Sequence, residues 1–194
     1  MNKALLNKLS VGKYRGGKAP IGHNDQPRDL FGPDTELVTK IQSLPTNGTA
    51  AETPWSGYYW PIAAGGIALR YQDPAGVSHD WKRNSELYRQ PDEHNKAVSD
   101  KRKNATDKYS PAEKYDLLIG DPNFTLANAM LNEGRRYYNS YGSVAEWMGY
   151  CHGWAPAAYM EKRPKKSYVD VLSVDGKRTV RFYNDDIRAL AVVA

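Results

Sequence analysis

The sequence predicts an α+β fold, mixing helices and strands, and three features predict it. Ser110-Pro-Ala-Glu113 and Ser143-Val-Ala-Glu146 each pair a capping serine with a glutamate three positions later, the signature of a helix start. Asp175-Gly176 divides two strand-like runs and marks a hairpin. Apolar residues recur at helical spacing over roughly Leu126–Tyr138 and again after Asn184.

The bulk numbers bound the answer. At 194 residues the chain suits one domain, or one domain with an extension. A mean hydropathy of −0.72 implies a modest core. Fourteen tyrosines and five tryptophans against three phenylalanines favour rings with a polar tip, suited to half-buried cores and clefts. The net charge is +5, and the excess sits in residues 1–18 and 96–108. No zinc-ligand spacing or other nucleic-acid signature accompanies it, so both stretches read as solvated and no specific nucleic-acid partner is expected. No apolar run is long enough to cross a bilayer, so no membrane partner is expected. The first residues lack the apolar core of a signal peptide. A single cysteine excludes an internal disulfide.

Taken in order, residues 1–50 read as a basic N-terminal extension plus an amphipathic helix. That helix is expected to be capped by Asp34, to present Leu37, Val38, Ile41 and Leu44, and to end at Pro45. Residues 51–194 form the second segment. It opens with an aromatic block, Trp55-Ser-Gly-Tyr-Tyr-Trp-Pro61. Ile67, Leu69 and Tyr71 alternate and predict a strand. Residues 75–108 are charged and carry no clear period. The Ser110 signal opens a helix that ends at Gly120. The Ser143 signal opens a short turn interrupted by Gly149, and a helix follows over Ala155–Met160. Tyr168–Leu172 and Arg178–Phe182 predict the hairpin strands. Asn184 is expected to cap a last helix carrying Ile187, Leu190, Ala191 and Val192.

The segment Trp147-Met-Gly-Tyr-Cys-His-Gly-Trp-Ala-Pro-Ala-Ala158 carries the chemistry. An arbitrary lone cysteine is a small buried hydrophobe. A thiol becomes a nucleophile as thiolate, and a helix N-terminus lowers its pKa. Pro156 and the alanines place a helix start just downstream of Cys151, whose N–H groups can hold an oxyanion. Gly149 and Gly153 permit close approach of a substrate, Tyr150 flanks the thiol, and Trp147 and Trp154 can wall the site. Trp55, Tyr59 and Trp60 are candidates to line the same cleft, with core packing as the alternative. Pro156 would sit deep if Cys151 were helical, so the regular helix is expected to begin near Gly153. His152 points away from its neighbour and reads as a supporting residue, not the base. No metal-ligand cluster is visible.

The string Trp-x-Gly-x-Cys-His-x-Trp-Ala-Pro-Ala-Ala resembles the active-site stretch of the oomycete transglutaminase elicitors and their bacterial relatives. Thr53-Pro-Trp-Ser-Gly-Tyr-Tyr-Trp-Pro61, Ser110-Pro-Ala-Glu-Lys-Tyr115 and Asp186-Ile-Arg-Ala-Leu190 resemble further blocks of that family in the same order. The resemblance implies a papain-like thiol enzyme, a protein-glutamine γ-glutamyltransferase. Cys151 would attack a glutamine side chain and pass the acyl group to a lysine or other amine. It implies protein substrates for both donor and acceptor, no organic cofactor, a calcium dependence by analogy only, and secretion. The family's histidine and aspartate lie later than this chain extends, and residues 153–194 contain no histidine. Residues 51–194 are therefore expected to be the front part of a catalytic domain, completed by a C-terminal fragment or chain supplying His and Asp. A thiol protease or amidase on the same scaffold, and a non-catalytic elicitor-like binding module, are the alternatives.

Overall fold

The computed structural model describes residues 38, 40–49, 52–73, 78–89 and 105–194. The chain divides into two units, Met1–Ala51 and Glu52–Ala194. In the first, the described residues carry one 3-10 turn, Ile41–Ser43, and all of them are exposed. Asp34 and Leu37 of the expected amphipathic helix lie outside the described residues. Its described part is not α-helical: Val38, Ile41 and Leu44 face solvent.

The second unit is built from α1 (Trp81–Tyr88), α2 (Pro111–Ile119), α3 (Thr125–Tyr141), α4 (Cys151–Met160), strands β1 (Tyr168–Leu172) and β2 (Thr179–Tyr183), and α5 (Asn184–Val193). Helices dominate and the sheet is a two-stranded antiparallel hairpin, an α+β arrangement. No helix among the described residues is long and apolar enough to cross a membrane.

The charged stretch hides α1. Asp80 caps it by accepting from the Arg83 N–H at 3.1 Å. Trp81 and Tyr88 enter the core, and the Trp81 ring NH donates to the Leu131 carbonyl of α3 at 2.8 Å. The Ser110 capping box forms as expected: Ser110 Oγ accepts from the Glu113 N–H, and the Glu113 carboxylate accepts from the Ser110 N–H at 2.9 Å. Gly120, at φ 71°, ends α2 in the left-handed region that a glycine enters without strain. Two carboxylates receive the free N–H groups of α3, Asp121 from Thr125, and Asp116 from Leu126 and Ala127.

One expectation fails for an identifiable reason. Residues 62–68 form two 3-10 turns, Ile62–Ala64 and Gly66–Ala68, where a strand over 67–71 was expected. Gly65 and Gly66 hold φ at 100° and 59°, which a strand cannot use, and Ile67, Ala68 and Leu69 are all buried. Full burial, not one half-buried face, produced the apolar spacing. The Ser143 signal opens the short turn expected of it, with the Met148 N–H donating to Ala145 O at 3.1 Å. Residues 148–150 then pair with the aromatic block: Ile62 N–H donates to Met148 O at 2.9 Å, and Tyr150 N–H to Tyr59 O at 2.8 Å. A bridge joins Pro61 to Gly149.

The hairpin falls within one residue of its expected span, with Tyr168 opposite Tyr183 and Leu172 opposite Thr179. Val180 and Phe182 alternate into the core. At its far end α5 follows directly. Asn184 is the first helical residue and not the cap; its side-chain amide donates to Pro164 O at 2.6 Å. The first turn is closed by Asp186, which accepts from the Tyr183 N–H at 2.7 Å.

Two ion pairs lie wholly inside the unit, both anchored on α2. Arg70 donates to the Glu113 carboxylate through Nε and Nη2, and its guanidinium lies between the rings of Tyr88 and Tyr109. Lys114 donates to Asp186 of α5 at 2.6 Å, beneath the ring of Tyr183. Tyr71 adds a hydroxyl donor to the same carboxylate at 2.9 Å. Buried charges of this kind persist only when paired.

Candidate active site

The site is assembled from the N-terminus of α4, the strand-like segment 59–62 and the turn at 55–57. Cys151 is the first residue of α4, and its thiol is free and exposed. The sequence placed it on the turn before a helix beginning near Gly153; the helix starts two residues sooner. Pro156 is accommodated as the sixth helical residue, lacking the N–H that the His152 carbonyl would otherwise receive. The Tyr150 carbonyl accepts from both Gly153 and Trp154, at 3.1 and 2.9 Å. That leaves the N–H groups of Cys151 and His152 as the unspent donors of the first turn.

The aromatic block clamps the residues just before the thiol. Tyr59 binds them twice, with its carbonyl on the Tyr150 N–H and its hydroxyl on the Glu146 carbonyl at 3.0 Å. Gly149 is enforced by this clamp, because a Cβ there would run into the Tyr59 carbonyl and ring. Gly153 is enforced from the other side by the Val192 carbonyl of α5. Both glycines therefore give close approach to the protein's own backbone. Trp60 holds φ at 43°, a strained value for a bulky residue, at the point where the block turns from Tyr59 to Pro61.

The tryptophans separate by role. Trp55 is buried, and its ring NH donates to the Glu161 carbonyl just past α4 at 3.0 Å, tying down that end of the helix. Trp60 is buried in the core. Trp154, one turn from Cys151, is partly buried beneath Gly57, where a Cβ would lie 2.9 Å from its ring nitrogen. Trp147 is 74% exposed and walls nothing among the described residues. Tyr150 is buried, its hydroxyl donating to Met130 Sδ at 3.4 Å, and burial raises its pKa well above the ordinary phenol value.

Histidine placement is informative. His152 is exposed, with its ring 6.0 Å from that of Tyr150. His79 shares its Nε2 with the Tyr58 hydroxyl at 3.5 Å and places Nδ1 3.9 Å from the Glu146 carboxylate. His23 and His94 lie outside the described residues. The Cys151 thiol has no hydrogen-bond partner among the described residues. No group of three His, Cys, Asp or Glu side chains among the described residues is placed to hold a metal ion.

Two open clefts flank the site elements. One, of about 350 Å³, is lined by Tyr58, Trp60, Leu69, Tyr71 and Arg188. The other, of about 410 Å³, runs between α4 and α5. Arg188 borders both: it donates to the Ser56 carbonyl at 2.5 Å, pairs with Asp185, and stacks near Trp55. Sequence reasoning missed the pairing of 59–62 with 148–150. A single isolated bridge leaves no periodic trace; the clue was Gly149, one glycine set among bulky residues.

Compared with known proteins, the chain matches the family model described as Transglutaminase elicitor over residues 29–194. No curated protein and no solved structure matches it. The matched span includes Cys151, the aromatic block clamped against it, and the two α2 ion pairs that brace it. This chain belongs to the transglutaminase elicitor family.

Proposed function

We propose that this chain is the nucleophile-bearing part of a protein-glutamine γ-glutamyltransferase with a papain-like core. The observation that carries the reading is Cys151, an exposed free thiol opening α4 within the family's span.

In the reaction, Cys151 Sγ adds to the γ-carboxamide carbon of a glutamine side chain. The oxygen of the tetrahedral adduct becomes an anion, and the N–H groups of Cys151 and His152 are its donors in this chain. Collapse breaks the C–N bond, and ammonia leaves with a proton from the general acid. The thioester that remains is attacked by a lysine amine, which gives its proton to the same group. The new amide forms as the C–S bond breaks and the thiolate returns. The imidazole for these proton transfers, and the carboxylate orienting it, are supplied by a complementary C-terminal segment or chain. His152 does not serve, because adjacent residues on a helix project about 100° apart. The substrates are proteins, one presenting glutamine and one presenting lysine.

The test is incorporation of a fluorescent primary amine into a glutamine-rich protein, with and without added imidazole, by the natural chain and by Cys151→Ala. Incorporation that requires Cys151 supports transfer; release of peptide fragments without incorporation assigns the thiol to hydrolysis. Iodoacetamide labelling across pH gives an independent reading. Labelling faster than that of free cysteine at the same pH is expected for an activated thiol. One observation favours a second reading, a non-catalytic elicitor-like module: Cys151 Sγ has no hydrogen-bond partner among the described residues. Labelling no faster than that of free cysteine, with no incorporation under either condition, would establish that module instead.

A further inference from the structure

The cleft of about 350 Å³ adjoins the turn that carries the thiol. Gly57 lines it, and the ring of Trp154 lies against that glycine. Trp154 follows Cys151 by three residues on α4, which sets the two about 5 Å apart and roughly 60° around the helix axis. The cleft therefore opens on the flank of α4 that also carries the thiol, while Gly153 faces α5.

The aromatic block divides its side chains between the two places. Tyr59 turns to the residues before the thiol, whereas its neighbours Tyr58 and Trp60 line the cleft. The Tyr58 ring meets Trp60 edge-on at 6.3 Å, and its hydroxyl shares a hydrogen bond with His79 at 3.5 Å, so this wall has a set orientation. Leu69, Tyr71 and Pro111 complete the apolar walls. Asp185 and Arg188 are the charged lining residues; they pair with each other, so the cleft carries no net charge. The rim has unspent backbone. Arg188 occupies the Ser56 carbonyl, but the N–H and carbonyl groups of Gly57 and Tyr58 have no hydrogen-bond partner among the described residues. Free donors and acceptors on consecutive residues offer an edge on which an extended chain can pair.

We propose that this cleft is the donor subsite: the polypeptide that presents glutamine to Cys151 pairs its backbone with Gly57 and Tyr58 and seats one large apolar side chain among Tyr58, Trp60 and Leu69. The inference rests on the transfer reading of Cys151 and names its substrate. Pairing along the edge supplies affinity without regard to sequence, and the cleft supplies the preference. The rings offer wide apolar area, and with Asp185 and Arg188 already paired nothing here offsets the desolvation of an incoming charge. An uncharged side chain is selected over an acidic or basic one. Thiol and cleft lie on the order of 10 Å apart, roughly three extended residues at about 3.4 Å each. The apolar residue therefore stands about three positions from the glutamine.

The test is fluorescence anisotropy of labelled glutamine peptides in a serine–glycine background, added to the full chain carrying Cys151→Ala so that nothing turns over. One leucine is moved stepwise along the peptide on either side of the glutamine. Tightest binding is expected with leucine about three positions away on one side, insensitive to salt. Changing that leucine to alanine should weaken binding about tenfold or more, and aspartate or lysine there should weaken it further. Tyr58→Ala, at a position 42% exposed, should also weaken it, whereas Tyr141→Ala, at an exposed tyrosine on α3, should not. N-methylation at alternate amides should abolish binding for one set and spare the other, as pairing along one edge requires. Equal affinity wherever the leucine stands, preference for a charged residue in its place, indifference to Tyr58→Ala, or no binding at all would overturn the subsite. Amine incorporation by the natural chain is measured separately. Incorporation that proceeds equally well with the leucine and serine peptides would overturn the subsite and leave the transfer reading standing.

Discussion

Replacing Gly153 by alanine sets two physical effects against each other, and the structure predicts which wins. On propensity alone, alanine in a helix interior is favoured over glycine by about 1 kcal/mol. Against this, a Cβ at position 153 would lie 2.0 Å from the Val192 carbonyl oxygen of α5. Carbon and oxygen normally approach no closer than about 3.3 Å, so the two helices would have to separate by roughly 1 Å. The obstacle is backbone inside a helix, which cannot swing aside as a side chain would. Overpacking of this kind costs about 1–3 kcal/mol, and the rigid obstacle places it at the upper end. The net expectation for Gly153→Ala is a loss of about 1–2 kcal/mol, read as a lower urea midpoint with unchanged slope. Ala155→Gly, at an exposed position of the same helix, calibrates propensity alone and should lose about 1 kcal/mol. Gly153→Ala should also slow iodoacetamide labelling or change its pH profile, since Cys151 lies in the displaced turn. A Gly153→Ala protein as stable as the natural one, or more so, would refute the packing of α4 on α5 described here.

Other substitutions test the frame. Asp186→Asn leaves Lys114 buried opposite a neutral amide and should cost about 3–5 kcal/mol by urea unfolding, whereas Lys114→Met combined with Asp186→Leu should cost less than the two single changes together. Ser110→Ala removes one cap acceptor and one donor to Glu113, and should cost about 1–2 kcal/mol in the same assay. Burial raises the Asp116 carboxyl to about 7, above its unfolded value near 4, against the opposing pull of the Ala127 and Leu126 N–H groups. The folded state then holds that proton more tightly, so stability is fullest below about pH 4 and declines as pH rises through about 7. Asp116→Asn should flatten this decline, measured as urea midpoint from pH 4 to 8.

The parts of the fold legible in the sequence were those set by local chemistry. The Ser110–Glu113 box and the Asp175-Gly176 hairpin need only residues a few positions apart, and both formed where expected. The parts that misled depend on distant partners. The strand expected over Ile67–Tyr71 was one, and the pairing of the residues after the Ser143 turn with Tyr59 and Ile62 left no sign in the sequence. The thiol position was legible to within a turn because the motif around Cys151 is long. What it packs against was not, since Gly153 reports a close approach without naming Val192 as the neighbour.

The two buried ion pairs explain how a helix with so little polar character is held in place. Arg70 follows the two 3-10 turns that leave the aromatic block, Asp186 lies in the first turn of α5, and both are gripped by consecutive residues of α2, Glu113 and Lys114. Consecutive helical residues project in different directions, so one short helix grips two distant segments at once. The block in turn clamps residues 148–150 and α5 backs Gly153, so both supports of the Cys151 turn trace to α2. Apolar residues in place of the four charges could match their stability. They would not tell the 62–73 segment from α5, because any apolar face accepts any other. A charge pair accepts only its opposite. Register around the thiol is then the gain that offsets the desolvation of four charges. A variant with all four made apolar also loses the acceptors of the Ser110 and Tyr183 N–H groups, so it should melt lower by no more than those two caps explain, while the rate of Cys151 labelling by iodoacetamide changes. If that rate were unchanged, the pairs would be incidental to the site.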